Sequence, residues 1–214
     1  MPTEPEPPEQ RIRPPRQLSR AEMQQRAEAF LEAHHPSKAP PTPIEEIVEF
    51  DLGINIVPIP GLYRDTGLDG FMSSNLAEIT IDEDRMLRYA GRYHFTLAHE
   101  LAHKELHGDL YSQFQFRTLA EWQRFVHAIG ESLHERLESE ADEFAGLILV
   151  PKESLQAQLQ TSLKRAQSRG VNISTLSDVL LEYVAEELAQ DFDVSSQVVK
   201  IRLTREKWFG HRRK

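Results

Sequence analysis

The 214 residues carry 34 acidic against 25 basic side chains, a formal net charge of -9, and no cysteine. This excludes disulfides, a thiol nucleophile and thiolate-bound metal, and it disfavours non-specific nucleic-acid binding by the whole surface. At 39% hydrophobic, the chain can bury one core without covalent staples.

Residues 1–17 are rich in Pro, Glu and Arg with almost nothing apolar, which predicts a disordered tail. Ser19-Arg20-Ala21-Glu22 reads as a capping box opening a helix toward His34. His34 and His35 stand before Pro36 and are expected to end that helix rather than bind metal. After a proline-rich linker, Thr42-Pro43-Ile44-Glu45 reads as a second capping box with Pro at the first helical position, and its helix should stop at Gly53. Ile54 to Ile59 reads as a strand, and Gly70 to Met72 with Glu78 to Ile81 as a hairpin around Ser73-Ser74-Asn75. An edge of so small a sheet could run along a cleft, where an extended peptide adds as one more strand.

Phe95, Ala98, Ala102 and Leu106 recur three and four apart, the pattern of an amphipathic helix, with Gly108 as its stop signal. The long stretch holding Phe114, Phe116, Trp122 and Phe125 is expected to be extra core rather than a lid or a substrate wall. A further helix follows, with Leu137, Ala141, Phe144, Ala145, Ile148 and Leu149 on one face. Near the C-terminus, Leu188 to Leu203 reads as helix, tight turn, helix, with Ser195 capping the second helix. Lys200, Arg202, Arg205, Lys207, Arg212, Arg213 and Lys214 make this end locally basic. It could contact DNA through the second helix, or complete the core or hold a protein substrate. The second reading is favoured, because the basic residues fall mostly past the helix and follow an acidic stretch from Asp178 to Asp193. No basic-then-apolar segment opens the sequence, and the longest apolar run, Phe144 to Val150, is far too short to span a bilayer, so a cytoplasmic chain is expected.

The sharpest chemical signal is His99-Glu100-Leu101-Ala102-His103. Two histidines four apart on a helix share one face, about one turn from each other, so their imidazoles can grip a single ion. Glu100 then sits where it can take a proton from a water at that ion, the arrangement of zinc peptidases. A third protein ligand must be His, Asp or Glu. Asp109 is a minor candidate. Glu138 and Asp142 are better placed, one turn apart within the apolar face of the next helix, where a carboxylate needs a partner. We assign Glu138 as third ligand, with Glu140, at the edge of that face, as the fallback. Asp142 is assigned to orient a ligand histidine through its other ring nitrogen. His107, His134 and Tyr93 remain open as donors to the developing oxyanion.

Phe95 through His103, then Glu138-x-x-Ala141-Asp142-x-Phe144-Ala145-Gly146-x-Ile148-Leu149-Val150-Pro151, with Pro43 to Ile47 and Gly53 to Ile56 upstream, resembles the ImmA/IrrE family of metallo-endopeptidases over roughly residues 40–205. The resemblance implies a gluzincin-like fold in which Glu138 matches the third ligand and a helix-turn-helix accompanies the peptidase core. It also implies a protein substrate, most often a helix-turn-helix repressor cut at one site. Ala102 replaces the commoner Gly, and Asp142 stands where Asn is frequent.

The expected fold is α+β: a small gluzincin-like zinc-peptidase core, with a short antiparallel or mixed sheet packed on the His-Glu-x-x-His helix and C-terminal helix-turn-helix-like helices. The expected divisions are a tail over 1–17, an N-terminal helix and linker over 18–39, the metallopeptidase core over 40–160, and the helical region with its basic end over 161–214. The expected function is Zn2+-dependent endopeptidase, with Glu100 as catalytic base and His99, His103 and Glu138 as ligands. Its partner is a helix-turn-helix repressor; nucleic acid is not favoured and no membrane is involved. The alternative is a DNA-binding or protein-binding regulator on the same scaffold without proteolysis.

Overall fold

The computed structural model of the protein describes residues 12–171, 173 and 178–208. Most of the expected tail, and Arg212, Arg213 and Lys214, lie outside the described residues.

Helix α1 (Arg20–His34) opens on Ser19 with both arms of the capping box formed, and buries Met23, Ala27, Phe30 and Leu31 along one stripe. His34 is its last residue and His35 its cap; His34 Nδ1 lies 3.3 Å from Asp51 and His35 Nε2 lies 2.8 Å from the Ala39 carbonyl. Residues 12–17, read from sequence as tail, lie against the body. Arg13 and Gln113 exchange two hydrogen bonds of 2.9 and 3.0 Å, and Arg136 donates to the Pro15 carbonyl at 2.7 Å.

Helix α2 (Ile44–Glu46) runs into a π-helical turn, Ile47–Asp51, and the chain reverses at Gly53, whose φ of 61° is open to glycine. The second capping box is absent. Pro43 caps without a side-chain bond, and the Thr42 hydroxyl instead donates to the Ile148 carbonyl at 2.9 Å, fastening the start of α2 to a distant helix end.

Strands β1 (Asn55–Ile59), β2 (Gly70–Met72) and β3 (Glu78–Asp82) form a mixed sheet in the order β1-β3-β2. Central β3 is parallel to β1, with Asn55 opposite Glu78, and antiparallel to β2, with Gly70 opposite Ile81. The hairpin is as expected. The short helices α3 (Leu62–Thr66) and α4 (Glu83–Arg88) flank it, α4 capped by Asp82 accepting from Arg85 N.

The long helix α5 (Ala90–Tyr111) packs under the sheet. It does not stop at Gly108. That residue lies within the helix, where a Cβ would stand 3.1 Å from Leu76 Cδ1, so its value is close packing and not termination. Helix α6 (Leu119–Ile129) follows, and Phe116 stacks on Phe125 at 4.6 Å in the interior; these two are core, as expected, while Phe114 and Trp122 are only partly buried against it.

Helix α7 (Glu131–Leu149) lies along α5. Ala98 and Ala102 on α5 and Ala141 and Ala145 on α7 are all fully buried, so small side chains let the two backbones close up. Helices α8 (Lys152–Ser168), α9 (Asp178–Phe192) and α10 (Ser196–Arg205) complete the chain, α10 capped by Ser195. The turn between α9 and α10 sits on the start of α5, where a Cβ on Gly91 would come within 2.9 Å of the Val194 carbonyl carbon. Arg202 is 1% exposed, with bonds to the Val150 carbonyl at 3.3 Å and to Glu206 at 3.2 Å. Lys200 pairs with Glu182 and Arg205 with Glu143. Among the described residues, no helix is long and apolar enough to cross a membrane.

Candidate metal centre

Helix α5 presents His99 and His103 one turn apart, and α7 brings Glu138 against them. His99 Nε2 and His103 Nε2 lie 3.3 Å apart; Glu138 Oε2 is 3.2 Å from His99 Nε2, and its Oε1 is 3.4 Å from His103 Nε2. Tetrahedral ligands about 2.0–2.1 Å from an ion stand about 3.3–3.4 Å from one another. The two imidazole nitrogens, with the Glu138 carboxylate straddling them through both oxygens, could therefore hold one small cation.

Each histidine is gripped from behind. His99 Nδ1 lies 2.9 Å from Asp142 Oδ1, so the fold brings together the two residues that the sequence pattern paired. His103 Nδ1 lies 3.1 Å from His107 Nδ1, and His107 Nε2 lies 3.1 Å from Glu140 Oε2. Glu140 is 8% exposed and does not join the trio; its buried place corrects the reading of it as an edge residue and fallback ligand. Asp109 is exposed and stands outside the cluster.

The charges follow from these contacts. Burial alone would lower His99, but the bonds to Asp142 and Glu138 lift it to about 10. Burial works to raise Glu138, yet His103 and His99 hold it well below the usual carboxylate range. Burial, then the neighbouring His103 and Arg136 charges, push His107 down to about 2, so it is neutral. Glu100 is 6% exposed, and burial raises its carboxyl against the lowering pull of His103 and His99. Its Oε2 accepts from Met72 N at 2.7 Å, which pins the side chain to the edge of β2.

Of the three open oxyanion donors, His134 meets the third carboxylate, its Nδ1 3.5 Å from Glu138 Oε1. His107 is turned away behind His103, and Tyr93 is buried near Glu45, which with burial raises its phenol. Sequence reading missed Tyr111. Its ring stacks on His103 at 5.4 Å, and burial followed by the Glu100 and Glu138 charges raises its phenol well above the usual range. Its position two turns beyond His103 was the available signal.

A family model described as Peptidase_M78, IrrE N-terminal-like domain, matches residues 51–204. A solved structure titled Mycobacterium tuberculosis transcriptional regulator shares the fold with a TM-score of 0.51 at 18% identity, covering 85% of this chain and 46% of that one. The chain thus spans about half the length of that neighbour. No curated protein matches it.

Proposed function

Because the chain belongs to the Peptidase_M78 family and carries its metallopeptidase scaffold, we propose that it is a zinc-dependent endopeptidase acting on a cytoplasmic protein, a helix-turn-helix transcriptional repressor. The observation that carries this reading is the convergence of His99 Nε2, His103 Nε2 and the Glu138 carboxylate, with Glu100 held on the helix that carries both histidines. Two imidazoles and one carboxylate are the donor set of a catalytic zinc site, which keeps one position open.

Zinc held by these three side chains would polarise the scissile carbonyl and lower the pKa of a water there toward about 7. Glu100 does the proton work. Met72 N–H occupies one of its oxygens, and the other is left to accept a proton from the attacking water. The water oxygen adds to the carbonyl carbon, the C–N bond breaks, and Glu100 hands its proton to the departing amine. Burial has already raised the carboxyl, which makes it a stronger base than an exposed glutamate. His134, whose Nδ1 lies beside Glu138, is the donor we assign to the charge that develops on the carbonyl oxygen.

Strand β2 supports a peptide substrate. Asp82 N donates to Asp69 O, and Ser73 N to Glu78 O, so Asp69, Phe71 and Ser73 face β3. By alternation Gly70 and Met72 turn their backbone groups the other way, along the edge where Glu100 is bound. The bonding of Arg202, Lys200 and Arg205 within the chain supports a structural role for the last two helices over DNA contact.

The test is cleavage by the zinc-loaded protein of the helix-turn-helix repressor encoded beside its own gene. Glu100→Gln should retain zinc and lose cleavage by at least about 100-fold, while Glu138→Ala should lose the metal. Cleavage persisting in Glu100→Gln would remove Glu100 from the mechanism, and no cleavage by the loaded wild type would remove this repressor as substrate.

A further inference from the structure

His107 and Glu140 are buried polar residues that the proposed reaction does not use. His107 is 1% exposed and Glu140 8%. They stand 33 positions apart in sequence, on α5 and α7, and meet at 3.1 Å. Isolated groups of this kind are costly to bury, and their placement calls for a physical reason.

The reason lies in the direction of the protons. For His103 to offer its Nε2 lone pair beside Glu138 and His99, it must be neutral and its proton must sit on Nδ1. That Nδ1 faces His107 Nδ1 at 3.1 Å, so His107 must accept there. A neutral imidazole that accepts at Nδ1 carries its own proton on Nε2. His107 Nε2 faces the Glu140 carboxylate, which can only accept when ionised. The carboxylate is held in turn: its other oxygen accepts from Leu18 N at 3.3 Å, and Arg136 Nη1 stands 3.7 Å away. Every donor meets an acceptor, and reversing any one proton leaves two donors or two acceptors facing each other.

We propose that His107 and Glu140 are positioning residues that fix the His103 proton on Nδ1 and so aim its Nε2 at the metal, a carboxylate–histidine support extended by one imidazole. The proposal rests on the metal-site reading above. Asp142 supports His99 directly, whereas His103 is reached by Glu140 only through His107.

The experiment measures zinc affinity by competition with a chromogenic chelator, for the full chain and for His107→Leu, His107→Asn and Glu140→Gln. His107→Leu keeps an apolar filling but offers no acceptor, and its affinity should fall by about 10–100-fold. Asn places an amide oxygen near the position of Nδ1, so His107→Asn should recover most of that loss, although it packs less well than Leu. Glu140→Gln keeps an acceptor without charge and should lie between the two. In the zinc-loaded wild type, imidazole nitrogen NMR should find His103 protonated at Nδ1 and His107 at Nε2. Unchanged affinity in His107→Leu, equal losses in the Leu and Asn variants, or the opposite tautomers would overturn the proposal alone. A wild-type chain that takes up no zinc would overturn the metal-site reading along with it.

Discussion

His99 in the metal-free chain holds a proton far above neutral pH: Asp142 and Glu138 outweigh the opposing effect of burial and place it at about 10. A metal ion needs the lone pair which that proton occupies, so binding must release it. At pH 7 zinc uptake should expel at least one proton, and affinity should climb with pH, by about tenfold per unit for each proton released, until about pH 10. Calorimetry in two buffers of different ionisation enthalpy reads the number directly; a buffer-independent heat would contradict it. The stability of the metal-free protein runs the other way. A histidine raised from 6.5 to about 10 contributes fully below 6.5 and is lost as pH rises through 10. His99, Glu100 and His103 were legible in the sequence because one helix and its fixed period set their relation. Glu138 was legible as a carboxylate on an apolar face. The bond between His107 and Glu140 was not, since it depends on how α5 and α7 lie against each other, which no local pattern encodes.

Helix starts signalled by a bonded cap were readable wherever the cap was free to act. Ser19 and Ser195 do what their positions suggest. Thr42 does not, because a buried carbonyl at Ile148 competes for its hydroxyl. Gly108 misled for a related reason: a glycine can serve close contact inside a helix as well as end one, and only the neighbouring Leu76 decides. Gly91 is a second such position, and it carries a prediction. Replacing it with alanine gains at most about 1 kcal/mol of helix propensity, but it drives a Cβ to 2.9 Å from the Val194 carbonyl carbon, a backbone atom that cannot swing aside. Overpacking of this kind costs about 1–3 kcal/mol. Gly91→Ala should therefore be less stable to urea than the wild type, with the midpoint shifted down and the slope unchanged. A stabilised variant would mean that the turn between α9 and α10 moves freely over α5.

Across the whole molecule, the two helices that carry the proposed metal ligands also form the central packing seam. An ion bound at His99, His103 and Glu138 ties them together and favours the folded state by mass action. At a thousandfold excess of zinc over its dissociation constant this amounts to about 4 kcal/mol, or roughly 8–16 °C in Tm for a chain of this size. Scanning fluorimetry with and without chelator should resolve it, and Glu100→Gln should respond like the wild type because Glu100 is proposed as base and not as ligand. Equal melting with and without zinc would separate the site from the fold. The same seam concentrates its contacts on one short run: Glu138 meets His99 and His103 at the proposed ion position, Glu140 meets His107, and Asp142 meets His99. One residue inserted just before Glu138 would turn all three carboxylates by about 100° and disconnect them together, while the loop between α5 and α6 could change length without touching any. In the history of such a chain, lengthening and shortening would be confined to the loops, and the spacing from Glu138 to Asp142 would stay as a single inherited block.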